Sequence, residues 1–542
     1  MRINNFKGIA ILLFICINLI TCFAQNNYPI IKSNNKHIHY IVNNKVDDWN
    51  ISPEIKPDRL FIYCSNKNNV KFKTDIDSIS FIVENKDTFR FFIDLKGYEK
   101  ALTEIVGIKD VQNTINNNDK VYYLSIFWSE VKYNFVNMDK INFNLDSIYQ
   151  IYISKVLNTK NDYEYYQELK RFSALFKDGH TQVVDNGQFN VFRDYIGATF
   201  IGFGKDIFLV NYRKGIGLDT SYLGAKLLQI KNIPIEEYLN KYIFPFISAS
   251  TEQSKRMQGI SKIHSGFKSE MFEAKVKKTN GEIKTISLPF NGESTRTDNQ
   301  EYYGVMPEYS NSLLDFKWLT DSIAFIAINA FYPEEMVIKQ FDKFIPDIQK
   351  AKGLIIDLRK NGGGSTEVAW HIQSFLTKNK YFLNFSWQTR INNSIAKANG
   401  NWKIEYKDFY NNCKLEFNKP DTIFISDSIS RINVPTVIIF GKYTFSAAED
   451  LLVNLFEVPN RPVFIGESTG GSTGSPLVLQ NFPNDGYARI CTRRICYPYS
   501  SKPFINEGIK PDIEVKQNIN DYLLEKDVVL NKAIEVIQNK IK

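Results

Sequence analysis

Cysteine and histidine are scarce in this sequence. There are six cysteines and five histidines in 542 residues, and two of the cysteines fall within the first 24. No Cys/His spacing suits a zinc site, so neither a metal centre nor another cofactor is expected. The pattern Gly-x-x-x-x-Gly-Lys-Ser/Thr is missing, and so is Gly-x-Gly-x-x-Gly, which removes the two common nucleotide cradles. No dense basic run with interleaved aromatics occurs, and the formal charge of +8 is mild for this length, so a nucleic-acid partner is not expected. The longest leading apolar stretch, Ile9 to Ile20, is too short to span a bilayer.

That stretch instead reads as an export signal over residues 1–24. Arg2 and Lys7 precede it, and Cys22-Phe-Ala24 before Gln25 has the small-x-small character of a cleavage site. Cys22, after Leu19-Ile-Thr21, is an alternative acceptor for a lipid anchor. The expected location is therefore periplasmic, cell-envelope associated or secreted. Losing residues 1–24 removes two positive charges and no acidic ones, so +8 becomes +6. With 43% hydrophobic and 14% aromatic residues the remainder is globular and long enough for several domains. Cys491 and Cys496 lie in a strand-rich region and are read either as a hairpin disulfide or as free buried thiols.

Two stretches carry the chemistry. Gly353-Leu-Ile-Ile-Asp357 reads as a fully buried strand, followed by the polar turn Leu358-Arg-Lys-Asn-Gly-Gly-Gly364 and a helical pattern opened by Ser365 and Thr366. A strand, a glycine turn and a helix start aim free backbone N–H groups at one point, which suits a phosphate or an oxyanion. Val434-Pro-Thr-Val-Ile-Ile-Phe-Gly441 is a second buried strand, and Ala447 to Phe456 has helical spacing. Ser446 thus sits at a second strand-to-helix turn, either as a helix cap or as an exposed hydroxyl beside the free N–H of Ala447. No Gly-x-Ser-x-Gly elbow surrounds it.

Asp357-Leu-Arg-Lys-Asn-Gly-Gly-Gly364, Thr444-Phe-Ser-Ala-Ala-Glu449 and Gly508-Ile-Lys-Pro-Asp512 together resemble the three signature blocks of the C-terminal (tail-specific) processing proteases, including their tricorn-core and interphotoreceptor-retinoid-binding-like branch. The resemblance covers roughly residues 165 to 520. It implies an α/β, multidomain chain with a crotonase-like ββα-type catalytic core over 301–542. Ahead of the core it implies a PDZ-like β-rich module over 189–300. The remaining divisions follow from composition and periodicity. These are a β-rich accessory domain over 25–112 and a helical segment over 113–188.

The resemblance also implies roles. Ser446 is the nucleophile, and the N–H groups of Gly363 or Gly364 and of Ala447 form the oxyanion hole. In the Ser-Lys branch a lysine follows the next strand, but Ser472 holds that position here. His180, in Asp178-Gly-His-Thr181 just past a helix end, is therefore the expected base, as in the Ser-His branch. The carboxylate that orients it is assigned to Glu507, two residues out of the usual register, with Glu449, Asp450 and Asp512 as fallbacks. Asp357 and Arg359 are expected to brace the glycine turn. The expected activity is that of an exported serine endopeptidase acting on polypeptides. The alternative is a non-catalytic protein of the same fold that binds peptide or apolar ligands. The aromatic, Asn-rich residues 380–430 are expected to form an excursion over the site.

Overall fold

The computed structural model describes residues 111–297, 299–305, 312–411, 414–471 and 474–542, and, as backbone only, strands lying between residues 30 and 96. The expected signal with Cys22, and also Cys413 and Ser472, lie outside the described residues. Five of the N-terminal strands form one antiparallel sheet, and Arg59–Cys64 pairs with Phe91–Lys96. Among the described residues no helix is long and apolar enough to cross a membrane.

Three helices, Asn117–Asn134, Leu145–Leu157 and Asp162–Ala174, each begin on an asparagine whose side chain accepts an N–H of the first turn. Leu124, Phe127, Val131, Tyr152, Tyr165, Leu169 and Phe172 make their common core. The same core takes in Val183, Ala488 and Ile490, so a piece of the distant C-terminal half closes the helical segment.

A module follows whose sheet runs in the order Ala198–Phe203, Asp206–Arg213, Lys226–Ile230, Met271–Lys277, Ile283–Pro289. Asn280-Gly281 turns the last hairpin, with Gly281 at φ 90°. The outer edge of Ala198–Phe203 is already engaged. The Phe200 N–H donates to His264 Nε2 at 2.8 Å, and the Gly202 carbonyl accepts from Lys442 Nζ at 3.4 Å. Two of the groups that a peptide strand would pair with there are thus taken by side chains.

The six-stranded core sheet runs Leu314–Thr320, Ile323–Ile328, Gly353–Asp357, Thr436–Phe440, Val463–Gly466, Ile513–Glu514. The first pair is antiparallel and the rest are parallel. The alternation of strands with the helices Glu334–Ile348, Thr366–Leu376 and Ala447–Phe456 produces this, because parallel neighbours need a crossover between them. Both central strands, Gly353–Asp357 and Thr436–Phe440, are buried at every position. The C-terminal helix Val528–Ile541 covers the other face through Val529, Ala533 and Ile537. Cys491 and Cys496 are buried free thiols rather than a bridge.

Candidate active site

The glycine turn and the serine turn leave neighbouring strands on the same edge of the sheet. Asn361 ties them together. It is fully buried, its Nδ2 donates to the Ile328 carbonyl at 3.0 Å, and its own carbonyl accepts the Phe445 N–H at 3.0 Å. Thr444, also fully buried, donates its hydroxyl to the Leu358 carbonyl at 2.8 Å and accepts the Gly441 N–H at 3.1 Å. The result is a sharp turn in which Ser446 takes φ 57° and ψ −129°. A non-glycine residue in such a region stores on the order of 1–3 kcal/mol of strain, which the surrounding bonds must hold.

His180 Nε2 lies 3.1 Å from Ser446 Oγ across 266 positions of sequence. The imidazole stacks flat on Phe445, with centroids 4.9 Å apart and planes 7° from parallel. Its own turn is fixed from three sides. The Asp178 carboxylate accepts the His180 N–H at 2.9 Å, the Gly179 N–H donates to Ser250 Oγ at 3.0 Å, and Thr181 Oγ1 accepts the Cys491 N–H at 3.0 Å. Burial lowers the imidazole pKa to about 3, and the charge of Arg489 acts in the same direction. The ring is therefore neutral in the resting cleft. Burial pushes the Asp178 carboxyl up to about 6, against hydrogen bonds from its own turn and the charge of Arg489.

Gly363 (φ 99°) and Gly364 (φ 142°) are both left-handed. A Cβ on Gly363 would stand 2.7 Å from the Ser446 Cβ and 2.9 Å from the Ala447 nitrogen, in the space in front of the helix start. The two glycines differ in what their amides do. The Gly363 N–H donates to Asn361 Oδ1 at 2.8 Å, so it is committed within the turn. Among the described residues the N–H groups of Gly364 and Ala447 have no recorded acceptor.

Glu507 does not reach the imidazole, which corrects its expected place. It is exposed, between Asn506 at φ 67° and Gly508 at φ 71°, and pairs with Lys510 at 3.8 Å. The tight turn directs its side chain to solvent. The fallback carboxylates have structural partners. Asp512 is held by Arg461 at 2.7 and 2.8 Å, and Asp450 accepts the Thr366 hydroxyl at 2.8 Å. Glu449 is fully buried at the start of the serine helix. It accepts the Ser446 N–H at 3.2 Å, the Thr469 hydroxyl at 2.5 Å and the Gly471 N–H at 2.7 Å. The Thr469 N–H donates to the Ile509 carbonyl at 3.2 Å and its hydroxyl accepts the Ile509 N–H at 2.7 Å, so Gly508-Ile-Lys-Pro-Asp512 serves as scaffold for the loop after the serine helix. Arg359 chelates Asp357 and reaches Asp527 at 2.7 and 2.8 Å, bracing the glycine turn against the C-terminal helix. Ser250 and Glu449 owe their positions to contacts far away in sequence, so nothing local marked Ser250, and only a helix-start position marked Glu449.

Residues 322–515 match the model of peptidase family S41. The carboxy-terminal processing protease CtpA of Bacillus subtilis (strain 168) is 28% identical over 204 residues, which is 37% of this chain and 36% of that protein. The match thus spans about a third of that relative's length. Among solved structures, mature CPAF superposes with a TM-score of 0.59 at 13% identity, covering 78% of this chain and 98% of its own. Mature CPAF complexed with lactacystin gives 0.59 at 15% identity, over 78% and 99%. At that identity these two likenesses establish a shared fold.

Proposed function

We propose that this chain is an exported serine endopeptidase that cleaves polypeptides through an acyl-enzyme at Ser446. The contact of 3.1 Å between His180 Nε2 and Ser446 Oγ carries the proposal, and the match of residues 322–515 to peptidase family S41 supports it. His180, neutral in the resting cleft, takes the hydroxyl proton as Ser446 Oγ attacks a peptide carbonyl. The N–H groups of Ala447 and Gly364 receive the oxyanion, with Gly363 keeping the approach open. The imidazolium then gives its proton to the leaving amine. A water deprotonated by His180 releases the acyl group as a carboxylate and restores the hydroxyl. Each oxyanion donor contributes about 100- to 1000-fold in rate. The Glu449 carboxylate fixes the serine backbone rather than the imidazole.

The alternative, a binding protein on the same fold, gives no reason to hold a serine in strained backbone with its hydroxyl against an imidazole. Ser446→Ala is expected to abolish hydrolysis of an unstructured polypeptide while leaving the melting temperature within a few degrees. Unchanged hydrolysis would remove Ser446 from its role.

A further inference from the structure

The strand that closes the helical segment also runs beside the base. Gly486–Cys491 pairs antiparallel with Gln182–Val184, and Arg489 stands opposite Gln182, two residues along from His180. On its other side Arg489 stands opposite Val478, which is exposed. Residues directly opposite in antiparallel strands share a face. The alternate set, Val183 and Ala488, points into the helical core. Gln182, Arg489 and Val478 therefore make up the opposite face.

Arg489 is half-buried, and among the described residues it makes no ion pair or side-chain hydrogen bond; its Nε is buried without a partner. Asp178 feels its charge, yet the two form no ion pair, and Asp178 Oδ2 is itself buried without a partner. Three other arginines of this half make charge-assisted bonds. Arg494 binds Asn137, Gln388 and Asp139, Arg461 binds Asp512, and Arg359 binds Asp357 and Asp527. Withdrawing a guanidinium from water without a partner is unfavourable, and a ligand carboxylate would offset that cost with a forked pair of charge-assisted bonds.

We propose that Arg489 is a specificity-determining residue that receives a carboxylate of the polypeptide substrate beside the Ser446–His180 pair. This rests on the peptidase reading and names a substrate class for it: chains that carry a carboxylate near the cleaved bond. That carboxylate comes from an acidic side chain or from the free chain end, and the test separates the two.

The test uses the full chain carrying Ser446→Ala, which holds a peptide without cutting it. Fluorescence anisotropy compares an unstructured peptide bearing one Glu with the same peptide bearing Gln, each with a free and an amidated C-terminus. Roughly tenfold tighter binding of the Glu form, or of the free-ended form, is expected, as for one partly desolvated ion pair. Arg489→Gln should erase that preference and leave the uncharged peptide within about twofold, Arg489→Lys should keep part of it, and Arg489→Glu should turn it toward a Lys-bearing peptide. Equal binding of all four peptides, no binding of any, or a preference that survives Arg489→Gln overturns the assignment. Hydrolysis of the same peptides by the Ser446 enzyme reports on the peptidase reading separately.

Discussion

At Gly363 the smallest side chain would collide with the turn that carries the nucleophile. An added methyl would stand 2.7 Å from both the Phe445 carbonyl oxygen and the Ser446 Cβ, and the backbone there is at φ 99°. Gly363→Ala is therefore expected to lower kcat/KM by at least about 100-fold, the size of one lost oxyanion donor, measured on an unstructured polypeptide. Asp178 gives a pH-dependent prediction. Its folded pKa is raised from 3.8 to about 6 by burial, so the fold is unburdened below pH 3.8 and carries the cost of the ionised carboxyl above pH 6. Asp178→Asn can still accept the His180 N–H. It should raise stability at pH 8 by up to about 3 kcal/mol and change it little near pH 3.5. Denaturant unfolding at the two pH values checks this, and an equal effect at both would refute it. At this scale the turns that carry Ser446 and His180 were legible in the sequence, because each is a local signal: a buried strand before a helical pattern, and an Asp-Gly turn after one. Glu507 was misplaced because a register argument cannot see that Asn506 and Gly508 are both left-handed and turn its side chain outward.

At the level of elements, the core sheet holds the two turns because helices load it from both faces. The C-terminal helix packs so closely that a Cβ on Gly353 would stand 2.3 Å from Ile537 Cγ2. Ile537 is fully buried against the sheet, so Ile537→Ala is expected to cost about 2–5 kcal/mol in denaturant unfolding. A loss below 1 kcal/mol would mean that the helix is not part of the cooperative core. The core strands were legible as continuous β-branched runs, and the serine helix begins and ends where its spacing suggests, at Ala447 and Phe456. Helix starts are harder to read: Glu334–Ile348 opens on an acidic, largely exposed turn that carries no apolar periodicity. The module edge was not legible at all. His264 and Lys442 come from separate segments to engage Phe200 and Gly202, and no local pattern records such a meeting.

Across the whole molecule, the site is assembled from the helical segment, the glycine turn and the serine turn, and a short stretch binds them. Ser250, Thr251 and Gln253 reach Gly179, Gly470 and Ser468 respectively, so a segment within the module joins the base to the loop beyond the serine helix. Within the stretch 380–430, Arg390 donates to the Lys132 carbonyl and Asn392 to the Tyr133 carbonyl, which ties this part of it to the helical segment. Long-range closure of this kind explains why the order of the pieces was readable from sequence while their contacts were not. The central claim is that an imidazole and a hydroxyl brought together from 266 positions apart form a working nucleophile. A fluorophosphonate probe followed by peptide mass mapping tests it most directly. One adduct on Ser446 of the full chain is predicted, lost in His180→Ala as in Ser446→Ala. A full chain that stays unmodified, or an adduct that forms equally fast without His180, would contradict it.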